Sequence, residues 1–104
     1  MPTKLTGVFP TGAGRQLTEI PTNLPLYTTI LKLSDNRIRR LPASGLFKRL
    51  KHLVSLDLKR NQIESIEDSA FVGANALNEL LLSENRIRRL SSKTFVGLRN
   101  LETL

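Results

Sequence analysis

Two identical hexapeptides, "NRIRRL" at 36–41 and again at 85–90, hold six arginines between them. Clustered guanidinium groups suit bidentate recognition of sulfate, phosphate or carboxylate. Lys48, Arg49 and Lys51 add a short basic turn. The 104 residues carry 16 Lys and Arg against 9 Asp and Glu, a net charge of +7. Such a charge favours a polyanionic partner and says nothing about fold. Other chemistries lack their residues. With no cysteine, disulfides, thiolate catalysis and Cys-type zinc sites are excluded. The one histidine, His52, has no Ser or Cys nucleophile pattern beside it. The "GAG" at 12–14 opens no strand-to-helix unit, so it does not read as a phosphate loop. No pair of carboxylates converges on a predicted pocket. The expectation is a protein without catalytic residues, metal or cofactor.

The elements that would position the arginines come from an internal repeat. Asn36, Asn61 and Asn85 stand 25 and 24 residues apart. Before each come three aliphatic or small residues at fixed offsets: Thr28, Leu31 and Leu33; Leu53, Leu56 and Leu58; Leu77, Leu80 and Leu82. After each comes an isoleucine (Ile38, Ile63, Ile87), then a second aliphatic residue (Leu41, Ile66, Leu90), then a phenylalanine (Phe47, Phe71, Phe95). Residues two apart on a strand share a face, so the paired leucines point inward together. An inward Asn side chain carries both donor and acceptor groups. The three asparagines are therefore expected to stack as a structural ladder that satisfies backbone groups where the sheet cannot. The phenylalanines should line the opposite, convex side. One such coil cannot bury its own apolar face, and stacking makes the core continuous.

These repeats resemble the extracellular leucine-rich repeat proteins, in the 24-residue typical subtype. The resemblance covers about residues 13–104, from "GRQLTEIP" onward. It is most like one repeat domain of the Slit axon-guidance ligands, with variable lymphocyte receptors and Toll-like receptor ectodomains as relatives. It implies an α/β fold: a right-handed solenoid with a concave parallel β-sheet and a convex side of turns and 3₁₀ segments. The organisation expected is an atypical cysteine-free segment over 1–15, with a short strand near Leu5–Phe9, and an opening half-coil over 16–27. Repeats follow over 28–52, 53–76 and 77–100, and a fourth begins at 101–104. In those families a cysteine-rich cap precedes "GRQLTEIP"; here Thr11, Gly12 and Ala13 stand in its place. That departure reads as a fragment, an isoform or an engineered piece.

The resemblance implies a recognition module for a protein ligand or receptor, acting outside the cell in guidance or in innate immunity. The alternative is an assembly scaffold that merely stacks. Residues 1–15 lack the apolar centre of a signal peptide, so an export signal has been removed or the chain is cytosolic. A mean hydropathy of −0.16 and the absence of any 18-residue apolar run leave no membrane span. On the concave face the expected ligand contacts are Thr29, Lys32, Ser34, Asp57, Lys59, Arg60, Glu79 and Leu81. Residues at equal repeat positions form rows about 4.8 Å apart. Lys32–Asp57–Leu81, Asp35–Arg60–Glu84 and Arg39–Glu64–Arg88 alternate in sign or polarity, whereas Arg37–Gln62–Arg86 and Arg40–Ser65–Arg89 contain no acid. Arg37, Arg40, Arg86 and Arg89 are thus the expected polyanion site, for a glycosaminoglycan or an acidic microbial envelope component. DNA is not expected: no helix is long enough to read a groove, and Tyr27 and the core phenylalanines offer no stacking surface. Finally, Phe95, Leu98, Leu101 and Leu104 form an apolar end without a polar cap. Such an end is expected to join copies of the chain into a homodimer or higher assembly.

Overall fold

The computed structural model describes residues 14–22 and 24–101, together with the backbone of Val8–Phe9. Leucines at alternating positions build the main sheet. Its strands are β1 (Val8–Phe9), β2 (Ile30–Lys32), β4 (Ser55–Asp57) and β6 (Glu79–Leu81), all parallel in that order. β3 (Arg40–Leu41) and β5 (Ser65–Ile66) form a second parallel pair on the limb that leaves the asparagine turn. The register is the repeat itself: Ile30 pairs Ser55, which pairs Glu79, and Leu31, Leu56 and Leu80 follow in line. β1 pairs β2 through Val8 and Ile30, within the segment where a first strand was expected.

Leu31, Leu33, Leu53, Leu56, Leu58, Leu77 and Leu80 are all fully buried in one continuous core. Each such side chain contributes about 1.5–3 kcal/mol relative to exposure. Phe47 and Phe71 approach to 5.4 Å between ring centroids, and Phe71 and Phe95 to 6.1 Å with rings 17° apart. The aromatic column therefore spaces the convex side of the coils while the sheet spaces the concave side.

The convex side departs from expectation in form. No 3₁₀ segment occurs among the described residues; the first coil instead makes a four-residue helix, α1 (Leu46–Arg49). The second coil makes separate turns closed by bonds such as Ala70 N–H to Glu67 O and Ala74 N–H to Phe71 O. Gly73 and Gly97 explain the difference. Both have φ near +100°, and a Cβ at Gly73 would lie 2.7 Å from the Lys48 backbone. At Gly97 it would lie 2.8 Å from Val72 Cα. The later coils need glycine to nest against the preceding one. The first coil has Arg49 at that position and continues as helix.

The turns before the ladder are left-handed. Asp35, Arg60 and Glu84 have φ of 59°, 55° and 59°, an uncommon region for residues with a Cβ. Asp35 N–H is held by Lys59 O, and Arg60 N–H by Ser83 O, each at 3.0 Å. Asn61 then ties three places together. Its Oδ1 accepts from Ile38 N–H at 3.1 Å, and its Nδ2 donates to Leu33 O and Leu58 O at 3.0 and 3.1 Å. Asn85 repeats the pattern with Ile63 N–H, Leu58 O and Leu82 O. Asn36 accepts from Arg15 N–H and Leu17 N–H, which docks the opening half-coil onto the first repeat.

Candidate functional site

The exposed strand positions form the concave surface, and the ladder beneath fixes their spacing. Lys32 is exposed; Thr29, Asp57, Lys59, Glu79 and Leu81 are half-buried. The sheet register places Lys32, Asp57 and Leu81 side by side. Ser55 Oγ donates to Glu79 Oε1 at 2.6 Å, and Asp57 Oδ1 accepts from Lys59 N–H at 3.0 Å. Arg60 grips Asp35 through two bonds, Nε to Oδ1 at 2.7 Å and Nη2 to Oδ2 at 3.0 Å. This is the only side-chain ion pair among the described residues. The Arg60 hydrogen bond holds the Asp35 carboxyl below the usual carboxylate range, and the same bond raises Arg60. Ser34 does not belong to the surface. It is buried, and its carbonyl accepts from Gly14 N–H at 3.0 Å as the segment leading into the opening half-coil folds against it.

The arginine quartet is exposed but divided. Arg40 lies on β3, opposite Ser65 of β5. Arg86 and Arg89, joined by Arg88, line a hollow of about 470 Å³ with Ser65 and Glu64. Arg37 and Arg40 are not among its walls. The acid that the row pattern omitted thus enters from the neighbouring row.

Past β6 lies an apolar groove of about 560 Å³ lined by Leu82, Ile87, Leu90 and Phe95, with Ser83, Arg88 and Arg89 on its rim. Leu90, at the repeat position of the buried Leu41 and Ile66, is 57% exposed, since nothing among the described residues packs over it. Leu98 and Leu101 are half-buried against the core; Leu104 lies outside the described residues.

One group escaped the sequence reading. Tyr27, dismissed as a stacking surface, is 52% exposed, and its neighbour Leu26 is 54% exposed. They wall a hollow of about 370 Å³ with Lys48, Arg49, Lys51 and His52. The signal was present in the repeat: Tyr27 and His52 occupy the same repeat position, so adjacent coils set them side by side. No group of three His, Cys, Asp or Glu side chains able to hold a metal occurs among the described residues. Nor is any of their helices long and apolar enough to cross a membrane.

Stacked coils, a ladder of asparagines and a pleated concave face define a solenoid scaffold whose exposed strand positions are free to vary without disturbing the core. The leucine rich repeat family matches over residues 27–83 and again over 51–104, and the chain belongs to that family. Zebrafish (Danio rerio) leucine-rich repeat-containing protein 3 is 40% identical over 83% of this chain and 32% of its own length. Human leucine-rich repeat-containing protein 3B is 39% identical over 89% of this chain and 36% of its own. The chain therefore spans about a third of the length of these curated relatives. Among solved structures, the TLR13–ssRNA13 complex superimposes with a TM-score of 0.79 at 33% identity, over 86% of this chain and 14% of that one. Human trophoblast glycoprotein, also named Wnt-activated inhibitory factor 1, gives 0.75 at 34% identity, over 88% of this chain and 33% of that one.

Proposed function

We propose that the chain is a non-catalytic recognition module that acts outside the cell and binds a macromolecular partner, foremost a protein, through the concave sheet. The observation that carries this reading is the row Lys32–Asp57–Leu81. A cation, an acid and an aliphatic side chain stand in strict register on a face whose inward neighbours are wholly buried. Fixed spacing of unlike groups on a sheet is what a specific partner can read, because little backbone ordering remains to be done on binding. The Slit-like guidance and innate immune roles use this same scaffold and differ in partner. The arginine flank favours an acidic region on that partner. Displayed as a multimer against an array of purified ectodomains, the chain should capture a partner. Lys32→Glu and Leu81→Glu should abolish capture while leaving the melting curve unchanged. Capture that survives both substitutions overturns the reading.

A second reading, self-association, draws support from the apolar groove of Leu82, Ile87, Leu90 and Phe95. Sedimentation should then show a homodimer that Leu90→Glu dissociates. A monomer at high micromolar concentration removes that reading and leaves the first intact.

A further inference from the structure

The hollow at the first corner has a composition that no other corner shares. Following the repeat, Leu26 and Tyr27 align with Lys51 and His52, then with Asn75 and Ala76. Lys48 and Arg49 align with Val72 and Gly73, then with Val96 and Gly97. By that alignment the second corner keeps only Lys51 and His52 as basic groups, where the first carries three cations, a histidine, a tyrosine and a leucine. No carboxylate lines the first hollow among the described residues. The general excess of positive charge does not explain a cluster confined to one junction.

Lys48 and Arg49 are also seated. The Gly73 turn packs against the Lys48 backbone so closely that a Cβ would approach it to 2.7 Å. Arg49 Nη1 donates to Thr22 O at 3.1 Å, which fixes the guanidinium and leaves its other N–H groups to a ligand. Lys48 and Arg49 belong to α1, and Lys51 and His52 to the turn that follows it. Positive groups held around an apolar ledge suit a ligand with several anionic substituents on a body that has an apolar face.

We infer that this hollow is a site for a sulfated polysaccharide, with the sulfates on Lys48, Arg49 and Lys51 and the apolar face of one sugar ring against Tyr27. Three observations choose this occupant. Charge complementarity requires a polyanion. Leu26 and Tyr27 wall a hollow rather than crown a protrusion, so they are poorly placed to enter a lipid surface. Tyr27 is the only exposed Phe, Tyr or Trp ring among the described residues, and the His52 imidazole is the one ring beside it, whereas single-stranded nucleic acid is held by a longer run of stacking platforms. The hollow, rather than the divided arginine flank with its Glu64, is then where the anionic chain binds. The inference goes beyond the concave-face reading and fails separately from it.

The test uses the whole chain and a fluorescent heparin-derived oligosaccharide, followed by anisotropy. Affinity should fall roughly tenfold between about 0.05 M and about 0.15 M salt for three phosphate-like contacts. Each lost cation should weaken binding about fivefold, so Lys48→Ser with Lys51→Ser gives roughly 25-fold. Tyr27→Ala should weaken it several-fold without changing the salt slope. Arg86→Ser with Arg89→Ser, and Leu81→Glu, should leave it within about twofold. The result is overturned if the flank pair abolishes binding and the corner pair does not, or if the desulfated oligosaccharide binds equally well. It is overturned likewise if mixed-sequence single-stranded RNA or phosphatidylserine vesicles occupy the hollow more tightly than the glycan. Unchanged melting of each variant shows that the fold is not the cause.

Discussion

Replacing Asn61 with alanine removes four hydrogen bonds, yet their loss is far from equal. Leu33 O is also bound by Asn36 Nδ2 at 2.9 Å, and Leu58 O by Asn85 Nδ2 at 2.9 Å. Lys59 O, which receives the fourth bond at 3.3 Å, also accepts from Asp35 N–H. All three carbonyls therefore keep a partner. Ile38 N–H does not: Asn61 Oδ1 is its acceptor, and Ile38 is fully buried. An orphaned buried donor costs about 1–3 kcal/mol, and the three shared carbonyls add fractions of that. The sum is about 2–4 kcal/mol, which lowers Tm by roughly 10–20 °C for a domain of this size. Urea unfolding followed by circular dichroism measures it. A second variant isolates the cause. Asn85→Ala orphans Ile63 N–H in the same way, but Asn85 is less buried, so its loss should be smaller. A loss below about 0.5 kcal/mol for Asn61→Ala, within the range of neutral surface changes, would refute the ladder argument.

Three further outcomes follow from the packing and charges. Phe71 is fully buried and packed between two rings, so Phe71→Ala should cost about 3–5 kcal/mol in urea unfolding; the half-buried Phe95 should cost clearly less. Gly73→Ala should destabilise more than Gly45→Ala, since both have positive φ but only Gly73 meets backbone within 4 Å; thermal melts of the pair decide it. The Asp35 carboxyl titrates lower folded than unfolded, so its pairing stabilises the fold above the ordinary Asp value near pH 4 and is lost as pH falls through the lowered one. Asp35→Asn should accordingly flatten the acid limb of the stability curve and leave the alkaline limb unchanged.

Much of this architecture is written in spacing. The alternation of Leu31 with Leu33, repeated at Leu56 with Leu58, dictates the sheet. A polar Asn three residues after each pair can only be accommodated inward by bonding backbone. What spacing does not carry is what a coil does to its neighbour. Ser34 has the composition of a surface residue and is buried where the chain around Gly14, leading into the opening half-coil, packs against it. Leu90 has the composition of a core residue and is exposed because burial depends on the coil stacked beyond. The left-handed turns at Asp35, Arg60 and Glu84 lack the glycine that would signal them; the backbone bonds around them impose the conformation. At the site, the rows were legible from the period alone. The hollow beside Tyr27 was legible only in part: the period sets Tyr27 beside His52, but the basic wall needs a helix where the later repeats have turns.

The central claim is that the concave strand positions meet the partner. Site-specific photo-crosslinking tests it most directly, with benzoylphenylalanine placed at Leu81 on the sheet or at Val96 on the convex turn. Both positions are accessible in the folded chain. The ectodomain captured on the array should crosslink through position 81 and not through position 96. Crosslinking through 96 with none through 81 would place recognition on the other side of the solenoid and contradict the account.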